Sequence, residues 1–137
     1  MKVLVPIDNS EHSKKALARA LELAEKQGAE VTIMTVVPVA SDFLDESLVN
    51  IQDKLRAENQ KWLDTAKADF EAKGIKVATI LEKGIVPANN IIRRAEEDKF
   101  DRIVMGSTGR TGLAKVLMGS TAAKVVAHAP CEVTIVR

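Results

Sequence analysis

Glycine and hydroxyl residues cluster between residues 106 and 121, where they form the strongest candidate for a ligand site. The cluster comprises Gly106-Ser107-Thr108-Gly109-Arg110-Thr111-Gly112 and, further on, Gly119-Ser120-Thr121. Glycines such as Gly109 and Gly119 are expected to adopt positive φ and to let backbone N–H groups approach a ligand closely. Ser120 and Thr121 fall at a predicted helix N-terminus, where free N–H groups and the helix dipole favour a phosphate. Arg110 and Lys115 add positive charge, so the segment predicts an anion site.

The alternative interpretation of this segment is a flexible connection, in which Gly119 makes a turn and Ser120 caps the helix. The spacing does not fit a Walker A loop, which has Gly-Lys followed by Ser or Thr. It does not fit a dinucleotide fingerprint either, because that motif follows the first strand. The chemistry of the segment therefore predicts phosphate binding without naming the ligand.

A single carboxylate, Asp8, follows the first apolar run. Asp8-Asn9-Ser10 supplies side chains that cap a helix N-terminus, and Asp8 is also the one plausible metal carboxylate at this point. A phospho-receiver domain requires a cluster of acidic side chains after the first strand, and only Asp8 is present there.

His12 is interpreted as a surface side chain, with phosphate contact as the alternative. We interpret His128 as complementing a helix dipole and Cys131 as a small core residue.

Composition excludes several functional classes. The chain has 137 residues, 20 Lys and Arg against 19 Asp and Glu, and a net charge of +1, which predicts one domain over residues 1–137 without the basic surface of a nucleic-acid-binding protein. Aromatic residues make up only 3%, too few for base stacking. One cysteine excludes an intrachain disulfide. No signal or membrane segment is visible, so we expect a cytoplasmic protein with neither nucleic-acid nor membrane partners.

Strand and helix patterns alternate along the sequence. Strands are predicted at residues 2–7, 31–37, 75–81, 101–105 and 133–136 from apolar, β-branched runs. Helices are predicted at residues 11–27, 47–73, 87–98 and 120–128. Gly28 and Gly74 are expected to end the first and second of these helices. On the long second helix, the apolar face is expected to contain Leu48, Ile51, Leu55, Trp62, Ala66 and Phe70.

This alternation predicts an α/β fold with a parallel sheet between helices on both faces. Ligands of such sheets bind beyond the carboxyl ends of the strands, where strand order reverses. The segments to inspect are therefore residues 6–10, 36–38, 81–86 and 105 onward.

Two motifs carry a resemblance to a known family. Gly106-x2-Gly109-x9-Gly119-Ser120 matches the G-x2-G-x9-G-[ST] nucleotide motif of the universal stress protein family, in its ATP-binding branch. The opening Val3-Leu4-Val5-Pro6-Ile7-Asp8-Asn9-Ser10 resembles the first strand and Asp-x-Ser turn of that family, which often has Gly where this chain has Asn9. Residues 101–107 and 130–136 are also similar, so the resemblance covers essentially the whole chain.

The resemblance implies a Rossmann-like, three-layer fold with a five-stranded sheet in the order 3-2-1-4-5. It also implies a site for ATP, or AMP or ADP, between strands 1 and 4. Pro6 and Ile7 would line the base, and Asp8 would face the ribose or a divalent metal such as Mg²⁺. The resemblance also implies that Val36 and Val37 contact adenine. Ribose and phosphates would be contacted by Met105, Gly106, Gly109 and Arg110, and phosphate also by Gly119, Ser120 and Thr121. Val36, Val37 and Met105 have core packing as their alternative role, and Arg110 surface exposure.

Two functions are compatible with these features. The first is a regulatory, stress-response binding module that holds an adenine nucleotide. The second is a slow ATPase or another ATP-consuming enzyme. Phosphoryl transfer requires a positioned metal, charge stabilisation and an oriented nucleophile, and only Asp8 is a plausible metal carboxylate, so binding is favoured and no catalytic residue is assigned. A flavodoxin-like electron carrier is a weaker third interpretation.

The last predicted strand also predicts a homodimer. Residues 133–136 are apolar and β-branched, and an uncovered edge strand of this kind tends to pair with another copy. The family resemblance implies the same antiparallel pairing across a two-fold axis.

Overall fold

Strands and helices alternate throughout the described chain. The computed structural model describes residues 1–39, 46–108 and 118–137. In order, its elements are β1 (Lys2–Pro6), α1 (Glu11–Gln27), β2 (Glu30–Pro38), α2 (Glu46–Glu71), β3 (Ala78–Gly84), α3 (Pro87–Glu97), β4 (Arg102–Gly106), α4 (Ser120–His128) and β5 (Glu132–Val136). The described strands form one parallel sheet in the order β3-β2-β1-β4-β5. The predicted fold class and strand order are confirmed.

β1 lies at the centre of the sheet and is buried on both faces. Val3, Leu4 and Val5 are 0% exposed, because successive side chains point to opposite faces and both faces are covered. On one face, Val3 and Val5 pack in a core that includes Ala16 of α1 and Leu63 and Phe70 of α2. On the other face, Leu4, Met34 and Ile103 pack with Ile91 of α3 and Val125 of α4.

Capping groups set the bounds of α1. The Ser10 side chain accepts a hydrogen bond from the Ser13 N–H at 3.1 Å, and Gly28 ends the helix with φ +67°. The helix therefore occupies the predicted residues 11–27.

The third strand begins later than predicted. Residues 75–77 precede the strand, which runs instead from Ala78 to Gly84. Gly74 adopts φ +74°, and the Ile75 N–H donates to the Phe70 carbonyl at 3.0 Å. This is the hydrogen bond of a Schellman cap, in which the apolar residue after the glycine packs back on the helix. The apolar residue at 75 therefore reflects helix termination.

The buried face of α2 also differs in part. Ala66 and Phe70 are buried as predicted, but Ile51 is 47% exposed and Leu63 takes a core position. The polar Asn59 is buried on the same face. The side chain of Leu48 lies outside the described residues. Within the described part of the chain, no helix has both the length and the hydropathy required to cross a membrane.

Candidate functional site

A cavity of about 340 Å³ opens at the carboxyl ends of β1 and β4. β1 pairs with β2 on one side and β4 on the other, so this is the point at which strand order reverses. Crevices at such points are the ligand sites of open α/β sheets. The volume falls within the range of about 300–1,000 Å³ that small-molecule pockets have.

Most of the predicted site residues meet at this cavity. Its lining includes Pro6, Ile7, Asp8, Val36, Met105, Gly106, Gly119, Ser120 and Thr121. Val37 does not line it and is only 2% exposed, since neighbouring residues of a strand point to opposite faces. Gly109 and Arg110 lie outside the described residues, as do Thr111, Gly112 and Lys115 of the same segment.

Asp8 lies in the turn between β1 and α1, where its carboxylate accepts a hydrogen bond. Its Oδ1 accepts from the Ser10 N–H at 3.0 Å, while the Asp8 N–H donates to the Ser13 hydroxyl at 3.3 Å. Ser10 is the N-cap, so Asp8 is not required to cap the helix. Asn9 adopts φ +64°, a conformation that Asn tolerates better than most residues other than glycine. This explains how Asn9 replaces the glycine common in this turn.

The N-terminus of α4 forms a polar part of the cavity. Gly119 is its N-cap and provides no side-chain hydrogen bond to the first turn. The N–H groups that begin the helix therefore receive no side-chain cap from the residues that the structure describes, and they sit at the positive end of its dipole. Ser120 and Thr121 line the cavity at this end.

The conformation of Gly119 corrects one expectation about the motif. We expected a positive φ there, but Gly119 has φ −63° and ψ +161°, which other residues also adopt. Its N–H donates to the Ser107 carbonyl at 2.7 Å, and the Ser107 N–H donates to the Val136 carbonyl at 2.9 Å. These bonds connect the two described ends of the glycine-rich segment to each other and to β5.

Gly106 is required for packing between β4 and α1. A Cβ at this position would lie 2.7 Å from the backbone carbon of His12 and 2.7 Å from its Cβ. Such distances require the helix to move. The close approach brings the half-buried His12 ring to Thr108, and His12 Nδ1 contacts Thr108 Oγ1. His12 is therefore not the surface side chain that we expected.

Another part of the cavity lining is apolar. Met34, Val36 and Met105 come from the sheet, and Pro87 and Ile91 come from α3. These side chains offer a surface for a flat aromatic ring, whereas the α4 end offers N–H and hydroxyl groups. The cavity lining thus contains an apolar part and a polar part that offers hydrogen-bond donors.

An ion-pair cluster holds α3 against the edge strand β3. The Glu82 carboxylate accepts hydrogen bonds from Arg93, Arg94 and Asn90, with Arg94 Nε at 2.8 Å and Asn90 Nδ2 at 2.9 Å. Burial raises the pKa of Glu82, but the hydrogen bonds from Asn90 and Arg94 and the positive charge of both arginines outweigh it. The net effect is a pKa below the ordinary value of 4.5, so the carboxylate stays ionised and keeps the apolar wall in place.

Six cavity residues were not among the predicted site residues. They are Ser13, Met34, Pro87, Ile91, Thr108 and Ala122. Pro87 and Ile91 had sequence signals as a helix start and an inward-facing residue, but these signals do not specify a ligand wall. Thr108 lies within the glycine-rich segment that the sequence marks as a candidate ligand site, although it was not itself predicted to contact the ligand. Among the described residues, no group of three or more His, Cys, Asp and Glu side chains forms a metal cluster.

The architecture and the cavity together define a doubly wound α/β domain with a ligand-sized crevice at its switch point. The universal stress protein family profile matches residues 1–137. The chain is 39% identical over 140 residues to a universal stress protein of Methanocaldococcus jannaschii, covering 99% of this chain and 81% of that protein. This chain therefore belongs to the universal stress protein family.

Solved structures agree with this assignment. Universal stress protein UspA from Lactobacillus plantarum superimposes with a TM-score of 0.90 at 29% identity, covering 100% of this chain and 97% of that one. A universal stress protein solved in complex with cAMP superimposes with a TM-score of 0.68 at 25% identity, covering 100% and 96% of the two chains.

Proposed function

We propose that this protein is a binding module for an adenine nucleotide, ATP or its product ADP or AMP, and that occupancy of the cavity is its regulatory signal. The observation that carries the proposal is the two-part cavity at the switch point between β1 and β4. An apolar wall lines one part of the cavity, and the N-terminus of α4, which has no side-chain cap among the described residues, lines another. A nucleotide has the same polarity, with a flat base and an anionic phosphate chain.

The described residues fit such a ligand at its base and at its phosphates. Met34, Val36 and Ile91 would contact the base. The first N–H groups of α4 and the Ser120 hydroxyl would bind phosphate oxygens, as helix N-termini commonly do. Support also comes from the related universal stress protein solved in complex with cAMP, a ligand that contains adenine. The glycine motif also includes Gly109, with Arg110 directly after it, and we propose that both residues contact the phosphates.

Asp8 is placed for the ribose or for Mg²⁺. Its carboxylate lines the cavity, and the described hydrogen bond to it uses Oδ1. Mg²⁺ is commonly held by one or two carboxylates together with substrate phosphates. A single carboxylate therefore fits a metal that arrives with the nucleotide.

Binding without rapid turnover is the form of the proposal that the site supports. ATP hydrolysis requires a group that orients water or the nucleophile, in addition to a phosphate cradle. His12 faces Thr108, and its Nδ1 is used in that contact. We therefore propose ATPase activity that is slow, well below about 1 s⁻¹, the lower end of the usual enzyme range.

Thermal melting with and without Mg-ATP tests this proposal. A ligand that binds only the folded state stabilises it by about 2.7 kcal/mol at one hundred times its Kd. For a domain of this length the melting temperature rises by about 9 °C. We expect that rise for the wild type, a smaller one for Ser120→Ala and almost none for Gly119→Val, whose side chain would occupy the phosphate end. A wild type that shows no shift at millimolar ATP would refute the proposal.

A further inference from the structure

One buried polar side chain comes from a helix that does not line the cavity. A buried polar group is costly unless it is hydrogen-bonded, so the positions of such groups are informative. In the part of the chain that the structure describes, the buried polar residues are Ser10, Ser13, Thr35, Asn59, Ser107 and Thr108. Asn59 belongs to α2, which contributes none of the described cavity lining. Its burial therefore requires an explanation of its own.

A chain of hydrogen bonds leads from Asn59 to the first residue after β1. Asn59 Nδ2 donates to Thr35 Oγ1 at 3.0 Å, and the Thr35 hydroxyl donates to the Ile7 carbonyl at 3.0 Å. A carbonyl can only accept, so the single hydroxyl hydrogen of Thr35 goes to Ile7 and its oxygen accepts from Asn59. Thr35 is 1% exposed and Asn59 is 3% exposed, so bulk water does not compete for these bonds.

The peptide group between Ile7 and Asp8 is held on both of its sides. Its carbonyl accepts from Thr35, and its N–H donates to the Ser13 hydroxyl at 3.3 Å. Because a peptide group is planar, its C=O and N–H can only rotate together. The preceding N–H, that of Ile7, donates to the Met34 carbonyl at 2.8 Å. The backbone that carries the Asp8 side chain is therefore fixed by β2 on one side and α1 on the other.

The Asp8 carboxylate is held by one of its two oxygens. Oδ1 accepts from the Ser10 N–H at 3.0 Å, whereas Oδ2 has no hydrogen bond to a residue that the structure describes. The Ser10 hydroxyl in turn accepts from the Ser13 N–H at 3.1 Å. Asp8 lines the cavity, so Oδ2 is the oxygen available to a ligand there.

Packing alone does not call for a polar pair between α2 and β2. Leu63 and Phe70 on the same face of α2 are buried hydrophobic residues. Valine has nearly the shape of threonine, and leucine has the branching of asparagine, so apolar side chains could occupy both positions. Hydrogen bonds differ from such contacts because they depend steeply on direction. The pair therefore fixes the orientation of the Ile7 carbonyl in a way that apolar packing would not.

We infer that Thr35 and Asn59 are positioning residues for the Asp8 carboxylate. By fixing the Ile7–Asp8 peptide group, they set the direction from which the carboxylate meets the Mg²⁺ that arrives with the nucleotide. α2 thereby contributes to the site without lining it. The inference rests on the proposed function for the ligand of Asp8 and on the hydrogen bonds for its geometry.

Amide hydrogen exchange measured by NMR tests the geometry without any ligand. The amides of Asp8 and Ser10 donate hydrogen bonds within the turn, whereas that of Asn9 donates to no described residue. Relative to the rates of an unstructured chain, Asp8 and Ser10 should exchange at least about tenfold more slowly than Asn9 in the ligand-free wild type. Asp8 and Ser10 amides that exchange as fast as that of Asn9 would overturn the inference.

Substitutions in the pair test whether it holds this turn. Thr35→Val leaves the Ile7 carbonyl without its partner, so exchange at the Asp8 and Ser10 amides should become at least about fivefold faster. Asn59→Leu keeps the Thr35 hydroxyl but removes the donor that orients it, and about threefold faster exchange is expected. Thr35→Ser keeps the hydroxyl and should retain the wild-type rates.

The gain in ATP affinity that Mg²⁺ provides tests the role toward the ligand. Calorimetry of the wild type should give ATP binding about tenfold tighter with Mg²⁺ than without it. Thr35→Val should reduce this gain to about threefold or less while its Kd without Mg²⁺ stays within about twofold of the wild type. Thr35→Ser should restore the full gain. Leu63→Val, on the same face of α2, is the control that lowers stability and leaves the gain unchanged.

The outcomes separate this inference from the proposed function. Thr35→Val with turn exchange within twofold of the wild type would overturn the positioning role, and so would faster exchange with an undiminished Mg²⁺ gain. If Thr35→Val does not fold, Asn59→Leu decides on the same two measurements. A wild type that binds no nucleotide overturns the proposed function, and the exchange rates alone then decide whether Thr35 and Asn59 hold the Asp8 turn.

Discussion

Replacing Gly106 by alanine tests how the site is built from the contact between β4 and α1. The added Cβ would lie 2.7 Å from two His12 atoms and 3.0 Å from the His12 carbonyl oxygen. Two of these three atoms belong to the helix backbone, so no side-chain rotation relieves the overlap. The first turn of α1 must move away from β4.

The magnitude follows from the cost of overpacking. Forcing an extra carbon into a well-packed contact costs about 1–3 kcal/mol. A loss of about 2 kcal/mol lowers the melting temperature of a domain of this size by about 7 °C. Because α1 also carries Ser13 of the cavity wall and the His12 contact to Thr108, its displacement should weaken ATP binding by about tenfold, or 1.4 kcal/mol.

Gly28→Ala is the matched control for this substitution. Gly28 has φ +67° and no atom within 4 Å of an added Cβ, so alanine there costs about 1–2 kcal/mol through backbone strain alone. It ends α1 far from the cavity, and its ATP affinity should equal that of the wild type. Thermal melting and calorimetric titration of both variants provide the comparison. A Gly106→Ala protein that melts within about 1 °C of the wild type would refute the packing argument.

Three further predictions concern other parts of the molecule. Asp8→Asn keeps an oxygen that can accept from the Ser10 N–H, so it should fold normally. Its affinity for Mg-ATP should fall about tenfold, and its affinity for ATP without Mg²⁺ should change little. If calorimetry gives the variant and the wild type equal affinities for Mg-ATP, Asp8 has no ligand role. The free energy of unfolding of Glu82→Gln should be about 1–2 kcal/mol lower than that of the wild type at neutral pH. The pKa of Glu82 in the folded protein is lowered from 4.5. Its contribution to stability is therefore fully present above pH 4.5 and is lost as the pH falls through the folded-state pKa, so the urea midpoints of the two proteins should converge in acid. Light scattering of the 137-residue chain should give a dimer of twice 14.9 kDa. Val133→Pro should be monomeric, because it removes a backbone N–H that is directed away from β4. A wild type that is monomeric at micromolar concentration would exclude the β5 dimer.

Much of the fold was predictable from local patterns. The run around Val3 is apolar without alternation because both faces of β1 are covered. Ser10 and Gly28 marked both ends of α1 through the chemistry of helix caps. The same reasoning placed β3 too early, because an apolar residue at position 75 has the same appearance whether it starts a strand or packs against a helix cap. Local pattern does not separate these two roles.

The candidate site was predictable where the signal was local and not where it depended on distant contacts. Gly119, Ser120 and Thr121 stand at a helix start that the sequence marks clearly. The contact between His12 and Thr108 joins residues 96 positions apart, and no spacing rule connects them. Thr35 lies in a strand predicted from its β-branched residues, and the hydrogen bond that its hydroxyl accepts from Asn59 depends on α2 packing beside β2.

Calorimetric titration of ATP into the ligand-free, full-length protein tests the central claim most directly. Among the described residues, the cavity combines one apolar wall with the N-terminus of α4, so we predict saturable binding of one ATP per chain. A matched titration into Gly119→Val, which should fold but carries a side chain at the phosphate end, is predicted to give no saturable heat. Wild-type protein that shows no binding at millimolar ATP, or Gly119→Val that binds ATP as tightly as the wild type, would contradict the account.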